Sequence, residues 1–510
     1  MDLKAHEELY DLIVIGGGIN GAAIARDAAL RKLKVVLLEK NDFGSGASSN
    51  TSKLVHGGLR YLERFQFSLV RESLKERALL LKNAPHLVRP LPFLLPVYSE
   101  DPHSLWKINL GLFLYDCLAP NKDLPKHRRL SPAGILQQVS GLRDHGLQGG
   151  CSYYDAQMMD NRIVIENILS AEREGALVYN HRQVTGLIKE KNEIQGVAFL
   201  DSLTGEKGEL QGKVIVNATG AWSTMIGEME PNIEHCCLTP TKGVHLVIPK
   251  IVSDTALLLR APQDGRVFFI LPWDKFNLVG TTDTLYQGSP DQLVVDAGDR
   301  HYLLDALNAY FPGKQITESS IIASFVGLRP LVSPEVTRSP SDILREHVIQ
   351  VSKGGLITIL GGKYTTHRLI AEEVVDTVVI KQKSQNAFLP CTTAIKLFPG
   401  ASGRYSLEEV QEKLENAGLS DELTFHLLNT YGTASLDILE IMLLNRDEAE
   451  PICECCPHVF AEVTYGFKNE HLKTIGDWFL RNPVFTYSTS LAAEWTERIS
   501  KKLALLQRLG

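Results

Sequence analysis

The stretch YDLIVIGGGINGAAIARDAALRKLKVVLLEK, residues 10–40, constrains the fold more than any other. It predicts a strand, a glycine turn, a helix and a second strand. Residues 12–15 form a continuous β-rich apolar run, as in a parallel strand buried on both faces. Gly16, Gly18 and Gly21 have the G-x-G-x-x-G spacing. Gly16 permits the tight turn, Gly18 lets backbone approach a pyrophosphate, and Gly21 lets the helix pack on the strand. The alanine-rich helix then points its free N–H groups and positive dipole end at an anion. Glu39, at the end of the second strand, is positioned to accept hydrogen bonds from adenosine ribose hydroxyls. The motif by itself fits FAD and NAD equally.

Further pieces suit the same site. KVIVNATGAW (213–222) predicts a strand that ends in the small residues Ala218, Thr219 and Gly220, where backbone can approach a dinucleotide. VYNHRQVTGL (178–187) reads as one more strand, and 194–216 as a hairpin with Thr-Gly at its turn. In 342–379, strands lead to Gly361-Gly362 and then a helix with apolar residues at helical spacing. Lys363, Thr365 and Thr366 stand at its N-terminus, where a helix end and a lysine suit an anionic ring or a phosphate. Residues 235–332 are β-rich: KGVHLVIP alternates, and three strands are joined at Asp264-Gly265 and near Asp274-Lys275. Arg329 lies in an apolar context, where a guanidinium is costly unless it meets an anion or a structural carboxylate. SSNTSKLVHGGLRYLE (48–63) packs hydroxyls, His56, Arg60 and Tyr61 into one short stretch.

A chain of 510 residues accommodates about three domains. Its net charge of -7 argues against nucleic acid as a partner, which calls for a basic surface. Eight cysteines at this density do not make a disulfide framework, and a reducing compartment is expected. The acidic start predicts no secretory signal. No run approaches the roughly 20 apolar residues of a membrane span; LVRPLPFLLPVY (87–98) is the most apolar, but it is short and holds three prolines.

LIVIGGGINGAAIARDAA, TSKL, HGGLRYLE, VNATGAW, TKGVHLVIP, VGTTD, GLRPL and GGKYTTHR occur in this order between about residues 10 and 370. Together they resemble the flavin-dependent glycerol-3-phosphate dehydrogenases, peripheral membrane enzymes of the D-amino-acid-oxidase-like class. The resemblance implies an α/β fold. An FAD-binding, Rossmann-like doubly wound domain (10–75, 145–230 and 333–385) is interleaved with an antiparallel β-rich substrate domain (76–144 and 231–332). A C-terminal α-helical domain (391–510) follows. It implies FAD as cofactor, oxidation of sn-glycerol 3-phosphate to dihydroxyacetone phosphate, and electron delivery to a membrane quinone. Its cofactor residues would be Gly16, Gly18, Asn20, Gly21, Glu39, Ser48, Ser49, Ser52, Lys53, Leu54, Val184, Ala218, Thr219, Gly220, Gly361, Gly362, Thr365 and Thr366. His56 would be the base for the hydroxyl proton, near neutrality as such a base should be. Arg329, Lys363 and Arg60 would hold the phosphate, with Tyr61, Thr281, Thr282 and Lys242 beside it; a phosphomonoester needs several cations. The expected location is cytoplasmic, against the inner face of the cell membrane, and a homodimer is compatible with it.

The stretch GDWFLRNPVF (476–485) departs from the Arg-Arg-Thr-like helix end of the family's tail. The remaining tail reads as amphipathic helices. CECCPH (453–458) offers Cys-x-Cys-Cys-x-His, but so many ligands in six residues crowd a tetrahedral ion, so no metal is expected. SLWKINLGLFLYDCLAPNKDLPKHRRL (104–130) sets Trp106, Phe113 and Tyr115 before Lys126, His127, Arg128 and Arg129. It fits either an anionic membrane surface or a core helix with a solvated basic turn. Three other functions compete: a glycerol-3-phosphate oxidase using oxygen, an amine or amino-acid oxidase of the same fold, and a non-catalytic dinucleotide sensor.

Overall fold

The computed structural model describes residues 8–120, 124–230, 238–332, 347–382, 388–488 and 493–509. The expected domain boundary at 333, the start of the 342–379 stretch, Cys236 and Cys237 lie outside the described residues.

Strand β1 (Leu9–Ile15), helix α1 (Ile19–Leu30) and strand β2 (Val35–Leu38) form the unit read from the glycine motif. β1 is the centre of a mixed sheet, parallel to β2 on one side and to Lys207–Asn217 on the other. Sheet order is His347–Val351, Ile357–Gly361, Lys207–Asn217, β1, β2, Leu177–Tyr179. The apolar run is continuous because both faces are covered. Leu12 and Val14 pack with α1 and with helices Asp160–Arg173 and His367–Lys381. Ile13 and Ile15 pack against Val197, Phe199 and Leu210. These belong to a β-meander of Arg182–Glu190, Glu193–Asp201 and Lys207–Asn217. Each such aliphatic side chain contributes about 1.5–3 kcal/mol by burial. The 178–187 segment is two strands rather than one. His181, at φ 59°, breaks it between Leu177–Tyr179 of the parallel sheet and Arg182–Glu190 of the meander.

A second, ten-stranded sheet joins Leu54–Val55, Val88–Tyr98 and Leu147–Met158 to the strands from 241 to 329. The proline-bearing apolar run is its strand Val88–Tyr98, antiparallel to Leu147–Met158 and parallel to Ala256–Arg260. Two boundaries therefore change: Leu54–Val55 and Leu147–Met158, expected in the dinucleotide-binding domain, pair in the second sheet. Strand Thr241–Pro249 is buried along eight of its nine residues, so its alternation reflects two packed faces and not one wet face.

The tail is a set of helices beginning at Leu407–Asn416, where Ser406 and Glu409 close a capping box. It docks on the first domain through bidentate ion pairs. Arg162 donates to both oxygens of Glu470 at 2.8 and 2.7 Å, and Arg481 donates to both oxygens of Asp42 at 2.7 and 2.6 Å.

Candidate active site

One cavity of about 1440 Å³ runs from the glycine turn, across the junction of the two sheets, to the helix Leu105–Leu118. At its first end, Gly16 (φ +101°) lies so near the neighbouring strand that a Cβ would come within 2.9 Å of the Ala218 carbonyl oxygen. Gly21 does not line the cavity. A Cβ there would lie 1.9 Å from the Gly16 carbonyl oxygen, so it sets the helix-to-strand approach. Gly18 caps α1, and Ser48 Oγ accepts a hydrogen bond from Ile19 N at 3.0 Å. Asn20 lines the cavity with Oδ1 buried and without a partner. Glu39 Oε2 accepts from Gly17 N (2.6 Å) and Oε1 from Asn41 N (2.9 Å). Burial pushes its carboxyl above the ordinary range against the pull of those amides. Val184, Ala218, Thr219 and Gly220 continue the wall.

The polar run after Ser48 carries the chain from the first sheet to the second, which is why it sits at the junction. Ser52 and Leu54 line the cavity; Ser49 and Lys53 do not. Ser49 Oγ donates to Gly44 O at 2.7 Å, and Lys53 Nζ lies 2.7 and 2.9 Å from the carboxylate oxygens of Asp160. A buried ammonium needs a carboxylate, and Asp160 supplies it away from the cavity. His56 lines the cavity, and its backbone N–H donates to Thr365 Oγ1 (3.3 Å), tying the two halves of the chain together. The next turn is held by Gly57 N, which donates to Tyr115 Oη at 2.8 Å, and Tyr115 Oη donates to Asp155 at 2.8 Å. Arg77 pairs with the same carboxylate. A Cβ at Gly57 would lie 2.4 Å from Tyr115 Oη, and Gly58 has φ +78°, so both glycines after His56 are required.

Arg329 ends strand Ala323–Arg329 on the cavity wall. Its Nη2 donates to Thr281 Oγ1 (2.8 Å), and Nη1 donates to Thr282 O and Asp283 Oδ1 (3.2 Å each). The guanidinium rests on Gly243, where a Cβ would lie 2.4 Å from Nη2. Thr281 lines the cavity; Thr282 does not, because its Oγ1 accepts from Val244 N at 3.0 Å inside the sheet. Lys242 is likewise outside, its Nζ 2.6 Å from both Asp296 and Asp299. Lys363 and Arg60 line the cavity and both approach one aromatic ring: Nζ of Lys363 is 4.0 Å and the Arg60 guanidinium 5.5 Å from the ring centre of Tyr61. Gly361, Gly362 and Thr365 line it as well, whereas Thr366 is buried with Oγ1 donating to Lys363 O.

Two residues that sequence reasoning missed stand on this wall. His245 is buried, shares a 2.8 Å hydrogen bond with Ser52 Oγ through Nε2, and stacks on Phe325 at 4.9 Å. Burial, with the Arg329 and Lys53 charges, pushes its pKa down to about 3. A histidine inside an apolar strand was the available signal, since a buried polar group needs a partner. Arg266 donates from Nη1 to the Asp283 carbonyl at 2.6 Å, beside Arg329. It follows the Asp264-Gly265 turn, and nothing in that sequence pattern distinguishes it from a surface charge.

The donor set fits a flavin dinucleotide. Close backbone at Gly16 and Gly18, the unpartnered Asn20 Oδ1 and the Glu39 carboxylate suit ribose and pyrophosphate. The α1 N-terminus faces one end of the cavity and the Gly361–Thr365 turn another. The volume exceeds the roughly 300–1,000 Å³ of a drug-sized site, leaving room for a small substrate as well.

Residues 11–375 match the family described as FAD dependent oxidoreductase, and residues 391–505 match the C-terminal domain of alpha-glycerophosphate oxidase. A glycerol-3-phosphate dehydrogenase of Synechocystis is 39% identical over 486 residues, covering 92% of this chain and 87% of that protein. The aerobic glycerol-3-phosphate dehydrogenase of Bacillus subtilis is 36% identical, covering 93% and 87%. Among solved structures, the glycerol-3-phosphate dehydrogenase of Bacillus halodurans, complexed with FAD, superposes with a TM-score of 0.81 at 29% identity, covering 98% of this chain and 92% of that one.

Proposed function

This chain belongs to the family of FAD-dependent oxidoreductases, with FAD as its cofactor, and from that premise we propose that it oxidises sn-glycerol 3-phosphate to dihydroxyacetone phosphate and passes the electrons to a membrane quinone. The observation that supports the reading is that His56, Arg60, Arg329 and Lys363 all line the dinucleotide cavity. Bound FAD supplies the hydride acceptor, N5, for the hydrogen at substrate C2.

His56 takes the hydroxyl proton as that hydrogen leaves. His245 is the poorer base: holding its pKa at about 3 costs its protonated form roughly 5 kcal/mol relative to a free histidine. Its work is to hold Ser52 as a neutral ring. Arg329, fixed by Thr281 and Asp283, and the Tyr61-braced Arg60 and Lys363 hold the phosphate. Arg266 adds a fourth cation. An amino-acid oxidase needs one arginine for a carboxylate, so this accumulation favours the phosphate ester.

Access to quinone is supported by the cavity mouth. Helix Leu105–Leu118 exposes Trp106 (68%) and Phe113 (53%), and Leu110, Leu114, Phe65 and Phe67 are exposed apolar residues lining the mouth. Arg128 and Arg129 are exposed farther on. Among the described residues no helix is long and apolar enough to cross a membrane. This arrangement fits a protein lying on the inner face of the cell membrane from the cytoplasmic side.

The test is an anaerobic absorbance spectrum before and after adding sn-glycerol 3-phosphate. Bleaching of the flavin bands is expected; bands that persist overturn the substrate. Reoxidation by a quinone analogue faster than by air is expected next. The opposite order replaces the dehydrogenase with an oxidase, which the match of the C-terminal domain also makes worth measuring.

A further inference from the structure

The loop between the turn Arg446–Ala449 and helix Phe460–Asn469 is closed on itself. Pro451 bridges Val459, Ile452 N donates to His458 O (2.8 Å), and His458 N donates to Cys456 O (2.9 Å). It is also pinned from outside. Lys275 Nζ donates to Cys455 O at 2.7 Å from a hairpin of the second sheet, and Arg498 Nη1 donates to Ile452 O at 3.2 Å. This reversal turns three near-successive cysteines inward. Cys453 Sγ lies 2.8 Å from both Cys455 Sγ and Cys456 Sγ, and all three sulfurs lie within 4.8 Å of one another.

We propose that Cys453, Cys455 and Cys456 form a three-thiolate site for a thiophilic divalent ion of the zinc type. Cysteines serving merely as small apolar residues have no reason to point three sulfurs at one place. Here Cys453 and Cys456 reach it from a core containing Phe460, Trp478 and Phe485, while Cys455 reaches it from the solvent side and provides the entry. The crowding that argued against a metal in the sequence is relieved by the closed loop. Tetrahedral zinc at about 2.3 Å from sulfur sets its sulfurs about 3.8 Å apart, so binding opens the cluster by about 1 Å. The exposed Cys455 has room to make that movement. The fourth position falls to water. The ion would lock the tail's loop where it meets the second sheet, away from the flavin cavity.

The test uses the full chain with FAD bound, reduced, cleared of metal by chelator and titrated anaerobically with Co²⁺ and then Zn²⁺. About one equivalent should bind, with a thiolate-to-cobalt charge-transfer absorption in the difference spectrum that zinc abolishes. The three thiols should then stop reacting with a disulfide-exchange reagent. Cys455→Ser, at an exposed position, should weaken cobalt binding about tenfold or more, and Cys117→Ser, outside the cluster on helix Leu105–Leu118, should leave it unchanged. Unaltered flavin absorbance reports that each variant is folded. No cobalt band in a folded chain overturns the site, as does an unchanged band in Cys455→Ser. A disulfide among the three in the protein as isolated, read as a mass deficit of two hydrogens, replaces the metal with a redox pair.

Discussion

His56 and His245 face one cavity, and their surroundings divide the chemistry between them. His56→Asn should lower kcat by about 10²–10⁴-fold while the flavin spectrum persists, since a general base contributes about that much; stopped-flow bleaching by sn-glycerol 3-phosphate checks it. His245 acts on stability instead. Its folded pKa of about 3 lies below the unfolded 6.5, and His367, buried against the Tyr364 carbonyl, is lowered to about 4 in the same sense. Between these values the unfolded chain binds protons that the folded chain refuses. Stability present above pH 6.5 is therefore lost as the pH falls through that window. Urea unfolding at pH 7 and at pH 4.5 should show the loss, and His245→Phe should flatten the slope. At this scale the sequence pointed to Glu39, Arg329 and Lys363, and all three line the cavity. It misled where a partner decides. Lys53 and Lys242 read like ligand cations until Asp160, Asp296 and Asp299 arrive from elsewhere in the chain.

Among the elements, the contact that deserves a mutation is the one between the tail and the loop after β2. Arg481 donates to both oxygens of Asp42, three positions beyond Glu39 in the loop leading to Ser48. Both side chains are about 4% exposed or less. Arg481→Met leaves the Asp42 carboxylate buried without its partner and should cost about 3–5 kcal/mol, measured by chemical denaturation. Adding Asp42→Leu should recover much of that loss, because the penalty lies in the unpaired charge. The stretch GDWFLRNPVF thus contains a docking arginine. The amphipathic pattern of these helices was legible in sequence; the partner of Arg481 was not, since an ion pair leaves no periodicity.

For the molecule as a whole, the proposed membrane contact rests on the exposed face of helix Leu105–Leu118 beside the cavity mouth. Trp106→Asp combined with Phe113→Asp should abolish co-sedimentation with anionic vesicles and leave turnover with a water-soluble dye intact, since neither side chain lines the cavity. Loss of both together would place these residues in the catalytic machinery instead. By itself the sequence determined β1, α1, β2 and the dinucleotide turn between them. The glycine spacing, the apolar run and Glu39 all act within one short segment, where backbone sterics and local hydrogen bonding suffice. Tertiary structure alone decided that Leu54–Val55 and Leu147–Met158 join the second sheet, that Arg266 and Arg329 share Asp283 as a partner, and that three sulfurs converge on one loop. Apolar strands pair equally well with many partners, and a cation's role depends on which carboxylate folds against it. Both are settled by contacts between residues far apart in the chain.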